Sequence, residues 1–456
     1  MLTKQDLNRV LNLNVGRQEP VCLIYSDFES ERLKYVFKFV FNHVLGISCS
    51  VTNDIGLFES SPHLKINYSV KEIKGAFKIK PNSLLSENEI YETRPAPCFK
   101  NNSLYFFENS EENQGFHFDI FSAVFYFISR YEEWQTFDKD IHGRFEAKSS
   151  LLYKHQFHLK PLVDLWILEF KTELESFFEN FKFPEKKMKI LSTLDVDNLY
   201  AFKRKGIVRS LGATARDIAK LDFKNTINRI LVLCGSKPDP FDVYEDVSAF
   251  CRQQNIPLFW FFLFRTGTKY DRTVNPQSPA FKEVFDLLKK NKAHIGLHPS
   301  YDSSLEQQLF EQEINLLRVK SGEAVSCVRQ HFLRFDIRTT PLLMIKNGVI
   351  ADFTMGFASS PGFRAGTSFP FYYYNFEKET AEELLFMPFC VMDGAFTIYE
   401  MTEPHSALKT MLEMAYEVKK VKGFFVSVFH ERTFSDHLYQ GFGTLYKNLH
   451  LKLKEL

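Results

Sequence analysis

From residue 188 onward, short apolar runs alternate with stretches of helical period, and this alternation restricts the fold more than any other feature of the chain. Runs at 188–194, 257–264, 293–297, 325–329, 348–353, 386–391 and 423–429 are short and apolar throughout, as strands buried on both faces are. Between and after them the spacing predicts helices at 241–255, 279–291, 304–320, 377–385, 404–420 and 440–454. Strands separated by helices pair in parallel. Seven of them predict an α/β fold, an incomplete seven-stranded (β/α) barrel over 186–456. Such barrels gather their chemistry at the C-terminal ends of the strands.

A chain of 456 residues exceeds one ordinary core, so a second domain is expected. Residues 1–185 read as a smaller α+β domain of unknown role. It opens with a polar, helix-like stretch at 1–17, followed by a strand at 20–25 and a mixed polar segment at 60–114 without a clear pattern. Amphipathic helices are predicted at 118–134 and 161–178, and a polar linker follows at Pro184-Glu185-Lys186-Lys187. An apolar fraction of 45% and a charged fraction of 25% are those of globular proteins. A net charge of +1 gives no case for nucleic acid or an anionic membrane as partner. The first seventeen residues lack an apolar signal region, and the run at 257–264 is too short to span a bilayer. Seven cysteines, an odd number without close pairing, suit reduced thiols. Together these predict a cytoplasmic protein with no integral membrane segment; oligomeric state is left open.

Three separated motifs stand at predicted strand ends: Thr193-Leu194-Asp195-Val196-Asp197-Asn198, His294-Ile295-Gly296-Leu297-His298-Pro299 and Ser427-Val428-Phe429-His430. One carboxylate and two histidines can hold a divalent cation with positions left open for water and substrate. The other aspartate is then free to act as a base. Asp195 and Asp197 point to one face of a strand, about 6–7 Å apart. His294 and His298 would be about 13 Å apart in a straight strand, so joint ligation requires a bend, which Gly296 makes inexpensive. Either motif alone also reads as surface histidines or as an Asp pair in a turn. Their coincidence after strands points to a metal site.

With these motifs the chain resembles the polysaccharide deacetylases, carbohydrate esterases with a NodB-type homology domain, in the subgroup whose first motif is T-x-D-x-D. The resemblance implies Asp195 as catalytic base and Asp197, His294 and His298 as ligands of one divalent ion, zinc ahead of Co2+, Ni2+, Mn2+ or Fe2+. Arg329-Gln330-His331-Phe332 resembles the R-x-P-[FY] motif with His331 in place of proline, and Val428-Phe429-His430 resembles L-x-H. It implies that Arg329 orients Asp195, that His430 protonates the leaving amine, and that Asp352 or Asp393 holds His430 charged. Gly362-Phe363-Arg364-Ala365-Gly366-Thr367 also looks like this subgroup, which makes Arg364 a substrate-binding candidate. So do 118–121, 129–133 and 142–145 in the N-terminal part. His331, His405 and His437 read as structural or surface residues. The expected activity is removal of N-acetyl groups from an amino-sugar glycan or glycoconjugate. A hydrolase of non-sugar amides and a catalytically idle glycan-binding protein are the alternatives.

Overall fold

The computed structural model describes residue 7 and residues 21–92, 94–109 and 115–456. The expected polar helix at 1–17 and the head of the strand at Pro20 fall almost wholly outside them. The N-terminal part holds β1 (Cys22–Ser26), β2 (Cys49–Thr52), β3 (Leu64–Tyr68) and β4 (Phe77–Lys78) in a parallel sheet of order β2-β1-β3-β4. A hairpin of β5 (Pro97–Lys100) and β6 (Ser103–Phe106) follows. The helix Ile120–Ile128 is buried at every position and not amphipathic as expected, because it packs among the helices Glu31–Phe37 and Leu162–Phe177 while Phe121 meets Tyr68 of the small sheet and Phe125 meets Tyr374 of the larger one. It stops where Arg130 turns left-handed, at φ 57°. The helix Leu162–Phe177 lies close to its expected bounds.

The larger sheet comprises β7 (Lys189–Val196), β8 (Leu258–Leu263), β9 (His294–His298), β10 (Cys327–Val328), β11 (Ala351–Asp352), β12 (Phe371–Asn375), β13 (Thr380–Phe386), β14 (Val391–Met392) and β15 (Phe424–His430). Their order is β12-β13-β11-β10-β9-β8-β7-β15-β14, nine strands instead of the seven expected. All neighbours are parallel except β12 and β13. The sheet curls enough for side chains to meet across it: Phe353, after β11, touches Phe259 and Phe261 of β8 at ring distances of 4.9 and 5.1 Å. Gly296 serves that curl and makes no bend. A Cβ there would stand 2.5 Å from the Phe261 ring, so glycine lets the ring lie across β9.

The expected helix at 377–385 is instead strand β13. Its glutamates, alanine and leucines favour helix, but Leu384, Leu385 and Phe386 are buried between β12 and β11, and that packing overrides propensity. Buried polar contacts, an ion pair and hydrogen bonds, join the two parts of the chain. Glu133 receives Arg130 at 2.8 Å and Arg364 at 2.7 Å, and Asp164 accepts from the Ser368 backbone and hydroxyl at 2.7 and 2.6 Å. Among the described residues no helix is long and apolar enough to cross a membrane.

Candidate metal centre and its cleft

β7 delivers Asp195 and Asp197 to the C-terminal rim of the sheet, β9 delivers His298, and β15 delivers His430. The loop after β10 brings Arg329 and His331 to the same rim. Asp197, His298 and His331 place one ligand atom each within 4.8 Å of the others, and all three residues are buried. The Nε2 atoms of His298 and His331 lie 3.4 and 3.5 Å from Asp197 Oδ1. That oxygen is buried and accepts no hydrogen bond. An unsatisfied buried carboxylate oxygen is costly unless something positive occupies the space before it.

The far side of each imidazole is fixed. His298 Nδ1 donates to the Arg329 carbonyl at 2.5 Å, and His331 Nδ1 donates to Asp271 at 3.0 Å. Both partners only accept, so the tautomer presents a bare Nε2 inward, as in ligating histidines. Phe332 and Leu333 follow His331 with φ of 59° and 52°, a left-handed pair that side chains resist. Arg144, from the N-terminal part, donates to the Phe332 carbonyl at 2.8 Å and helps hold this turn. The donor set, its burial and its second-layer partners fit a divalent cation.

His294 does not belong to this group. β9 runs in unbroken register with β8 from Phe259↔His294 to Leu263↔His298, so the expected bend is absent. His294 remains at the opposite end of the strand, its ring stacked on Phe259 at 4.6 Å. His331, expected to be structural, stands where the second histidine was sought.

Beside the three side chains that could hold a metal ion lies a second carboxylate. Arg329 is wholly buried, donating to Asp195 Oδ1 at 2.8 Å, to Thr193 Oγ1 at 2.7 Å and to the Phe353 carbonyl at 3.0 Å. The other Asp195 oxygen faces His430 Nε2 at 4.0 Å. Of the two aspartates considered for His430, Asp393 holds it, accepting from Nδ1 at 2.6 Å and from the backbone N–H at 2.7 Å. Burial, the largest single influence, would lower the His430 pKa, but the charge and hydrogen bond of Asp393 together with the Asp197 charge raise it to about 9. Burial would raise the Asp393 carboxyl, yet His430 and its hydrogen bonds hold it below the usual range. Asp352 does not reach His430. It accepts from the Thr354 backbone at 3.2 Å and from its hydroxyl, and burial raises its pKa to about 7. Arg364 is not in the cleft either; Glu133 accepts from its Nε and Nη2 at 2.8 and 2.7 Å.

The cleft over these groups has a volume of about 280 Å3, with Tyr270, Phe332 and Tyr399 among its walls. Gln330 also lines it, and neither its amide oxygen nor its amide nitrogen finds a partner although the residue is fully buried. Arg432 pairs with the second oxygen of Asp197, and Glu431 accepts from the Asp197 and Asn198 backbone at 3.1 and 2.9 Å. Asp271, Glu431 and Arg432 were not found by sequence reasoning, and Gln330 and Arg144 were met only inside motifs, without a role. For His331 a signal existed, since it lies just beyond the end of a parallel strand, where such folds place their ligands.

Residues 22–179, less than half of the chain, match a family of unknown function, DUF7033. No curated protein matches. Among solved structures, a Mycobacterium smegmatis protein provisionally described as a polysaccharide deacetylase is similar over 60% of this chain and 87% of its own, at 13% identity and a TM-score of 0.39. At that level the likeness does not bear on function.

Proposed function

We propose that the protein is a metal-dependent hydrolase that removes N-acetyl groups from an amino-sugar glycan or glycoconjugate, releasing acetate. The observation that carries this is the convergence of Asp197 Oδ1, His298 Nε2 and His331 Nε2 beside a carboxylate, Asp195, and a charged imidazole, His430. A divalent ion held by the first three would polarise the acyl carbonyl and acidify a water.

The remaining residues divide the proton transfers. Arg329 occupies one oxygen of Asp195 and turns the other toward the cleft, where it can take the proton of the attacking water. His430, kept protonated by Asp393, carries its second N–H on Nε2 and can give that proton to the departing amine. A base and an acid 4.0 Å apart can serve the two ends of one amide cleavage. Tyr270 and Phe332 line the cleft with ring centroids 5.3 Å apart and offer flat apolar faces of the kind sugar rings pack against.

Acetate release from a panel of N-acetylated sugars and oligosaccharides, measured with the metal-loaded protein and again after chelation, tests this. Chelator-sensitive release from at least one of them is expected. A protein that binds one ion yet releases acetate from none, or that cleaves only non-sugar amides, would contradict the reading.

A further inference from the structure

The chain that leaves the metal centre after Asp197 forms two helices, Ile207–Ala219 and Phe223–Leu233, before returning to the barrel. They are built inside out. The contacts joining them are polar: Arg229 donates to Asp217 at 2.5 Å and to Thr214 at 2.9 Å, and Asn225 donates to Asp217 at 2.6 Å. Asp217 and Arg229 are buried. The apolar side chains face outward. Ile207, Val208 and Leu211 on the first helix, Leu221 at the turn, and Ile227 and Ile230 on the second are each more than half exposed. They recur at one-turn spacing on each helix and so form a contiguous face. Patches of this kind mark interaction sites.

Charge identifies the partner. Nine basic and two acidic residues lie between Lys203 and Lys237, whereas the whole chain carries only +1. Both acids are used internally, Asp217 against Arg229 and Asp222 as cap to the Asn225 N–H at 3.0 Å. Arg209, Arg216, Lys220 and Lys224 border the apolar face and are exposed. A two-fold contact with a second copy would set these cations against one another. An anionic bilayer matches the apolar face and the cations together, the pattern of helices that lie in a membrane interface without crossing it.

We propose that this helical pair docks the protein on the surface of an anionic phospholipid membrane. The docking face lies next to the cleft, because Arg209 donates to the Arg272 and Thr273 carbonyls at 2.6 and 3.3 Å and Arg272 is one of the cleft walls. Docking therefore holds the cleft at the lipid–water boundary, where the sugar headgroup of a lipid-linked substrate would lie. That last step rests on the deacetylase reading; the docking itself does not.

The test is cosedimentation of the full chain with phosphatidylcholine vesicles, with and without a minor fraction of phosphatidylglycerol, in the absence of any substrate. Binding to the mixed vesicles, weak binding to phosphatidylcholine alone, and a fall with added salt are expected. Lys220→Gln with Lys224→Gln should weaken binding roughly tenfold to thirtyfold, and Leu211→Asp with Ile227→Asp should abolish it. Unchanged thermal melting and an intact metal content would show that these surface variants are folded. Failure to bind either vesicle, or equal binding to both, overturns the proposal. So does a dimer in light scattering that Leu211→Asp dissociates while lipid binding is absent, which would assign the face to a second copy.

Discussion

The cleft and the helical pair beside it both grow from the end of β7, and each reverses the usual rule of burial in its own direction. In the cleft, charges are inside: Asp195, Asp197, Arg329 and Asp393 are buried and each has a charged partner, but Asp197 Oδ1 accepts no hydrogen bond. In the helical pair, apolar side chains are outside while Asp217, Asn225 and Arg229 satisfy one another within. A buried charge without partners and an exposed apolar face without cover are both expensive. In each region the unanswered group points to the partner proposed for it: a cation before Asp197 Oδ1, and an anionic membrane surface over the helices.

The comparison is broken most severely by changes that act on the cleft alone. Asp195→Asn preserves the Arg329 hydrogen bond but removes the base, and turnover should fall roughly 10²–10⁴-fold. Metal content measured on the same sample should stay at the wild-type level, because Asp195 lies outside the ligating group. Loss of the ion in this variant would require the roles of Asp195 and Asp197 to be exchanged.

Next in size is a change outside both regions. Arg364→Met leaves Glu133 buried with Arg130 alone, and breaking a buried ion pair from one side costs about 3–5 kcal/mol. The melting temperature should drop sharply while KM for any accepted substrate stays unchanged. A raised KM at unaltered stability would return Arg364 to the substrate site.

A smaller and more diagnostic effect concerns pH. His430 must be protonated to donate, and with Asp393 it stays so until pH passes about 9, where activity should fall. Its raised pKa also stabilises the fold. That stability is full below the ordinary histidine value near 6.5 and is lost as pH rises through about 9. For Asp393, whose pKa is lowered, the stability is present above the ordinary carboxylate value and is lost only in stronger acid. In Asp393→Asn His430 loses the larger of the charges that oppose its burial, so the basic limb of the pH–rate profile should move down from about 9. A limb that did not move would exclude His430 as the proton donor.

What could be read in the sequence follows from the same physics. Strand β8, Leu-Phe-Trp-Phe-Phe-Leu, is apolar because helices and barrel interior cover both its faces, and a run of that kind has few other uses. Asp195, Asp197, His298 and His430 stood out because a polar group ending such a run has to be explained. His294 misled because a histidine pair four apart looks like a ligand pair, whereas an unbroken strand carries its two ends far apart. His331 was concealed by the reverse circumstance, since only the three-dimensional adjacency of β9 and β10 brings it to His298. Arg364 and Asp352 sit in suggestive surroundings, yet Glu133 and Thr354 absorb them. β13 was illegible because its residues favour helix and its neighbours impose a strand. The even charge of the whole chain concealed the strongly basic segment between Lys203 and Lys237.

The central claim is that Asp197, His298 and His331, and not His294, hold the metal. Metal content per chain, determined by elemental analysis of the wild type, His331→Ala and His294→Ala after identical loading and dialysis, tests it most directly. The account predicts one tightly held ion in the wild type and in His294→Ala, and none in His331→Ala. An ion retained by His331→Ala and lost from His294→Ala would contradict it.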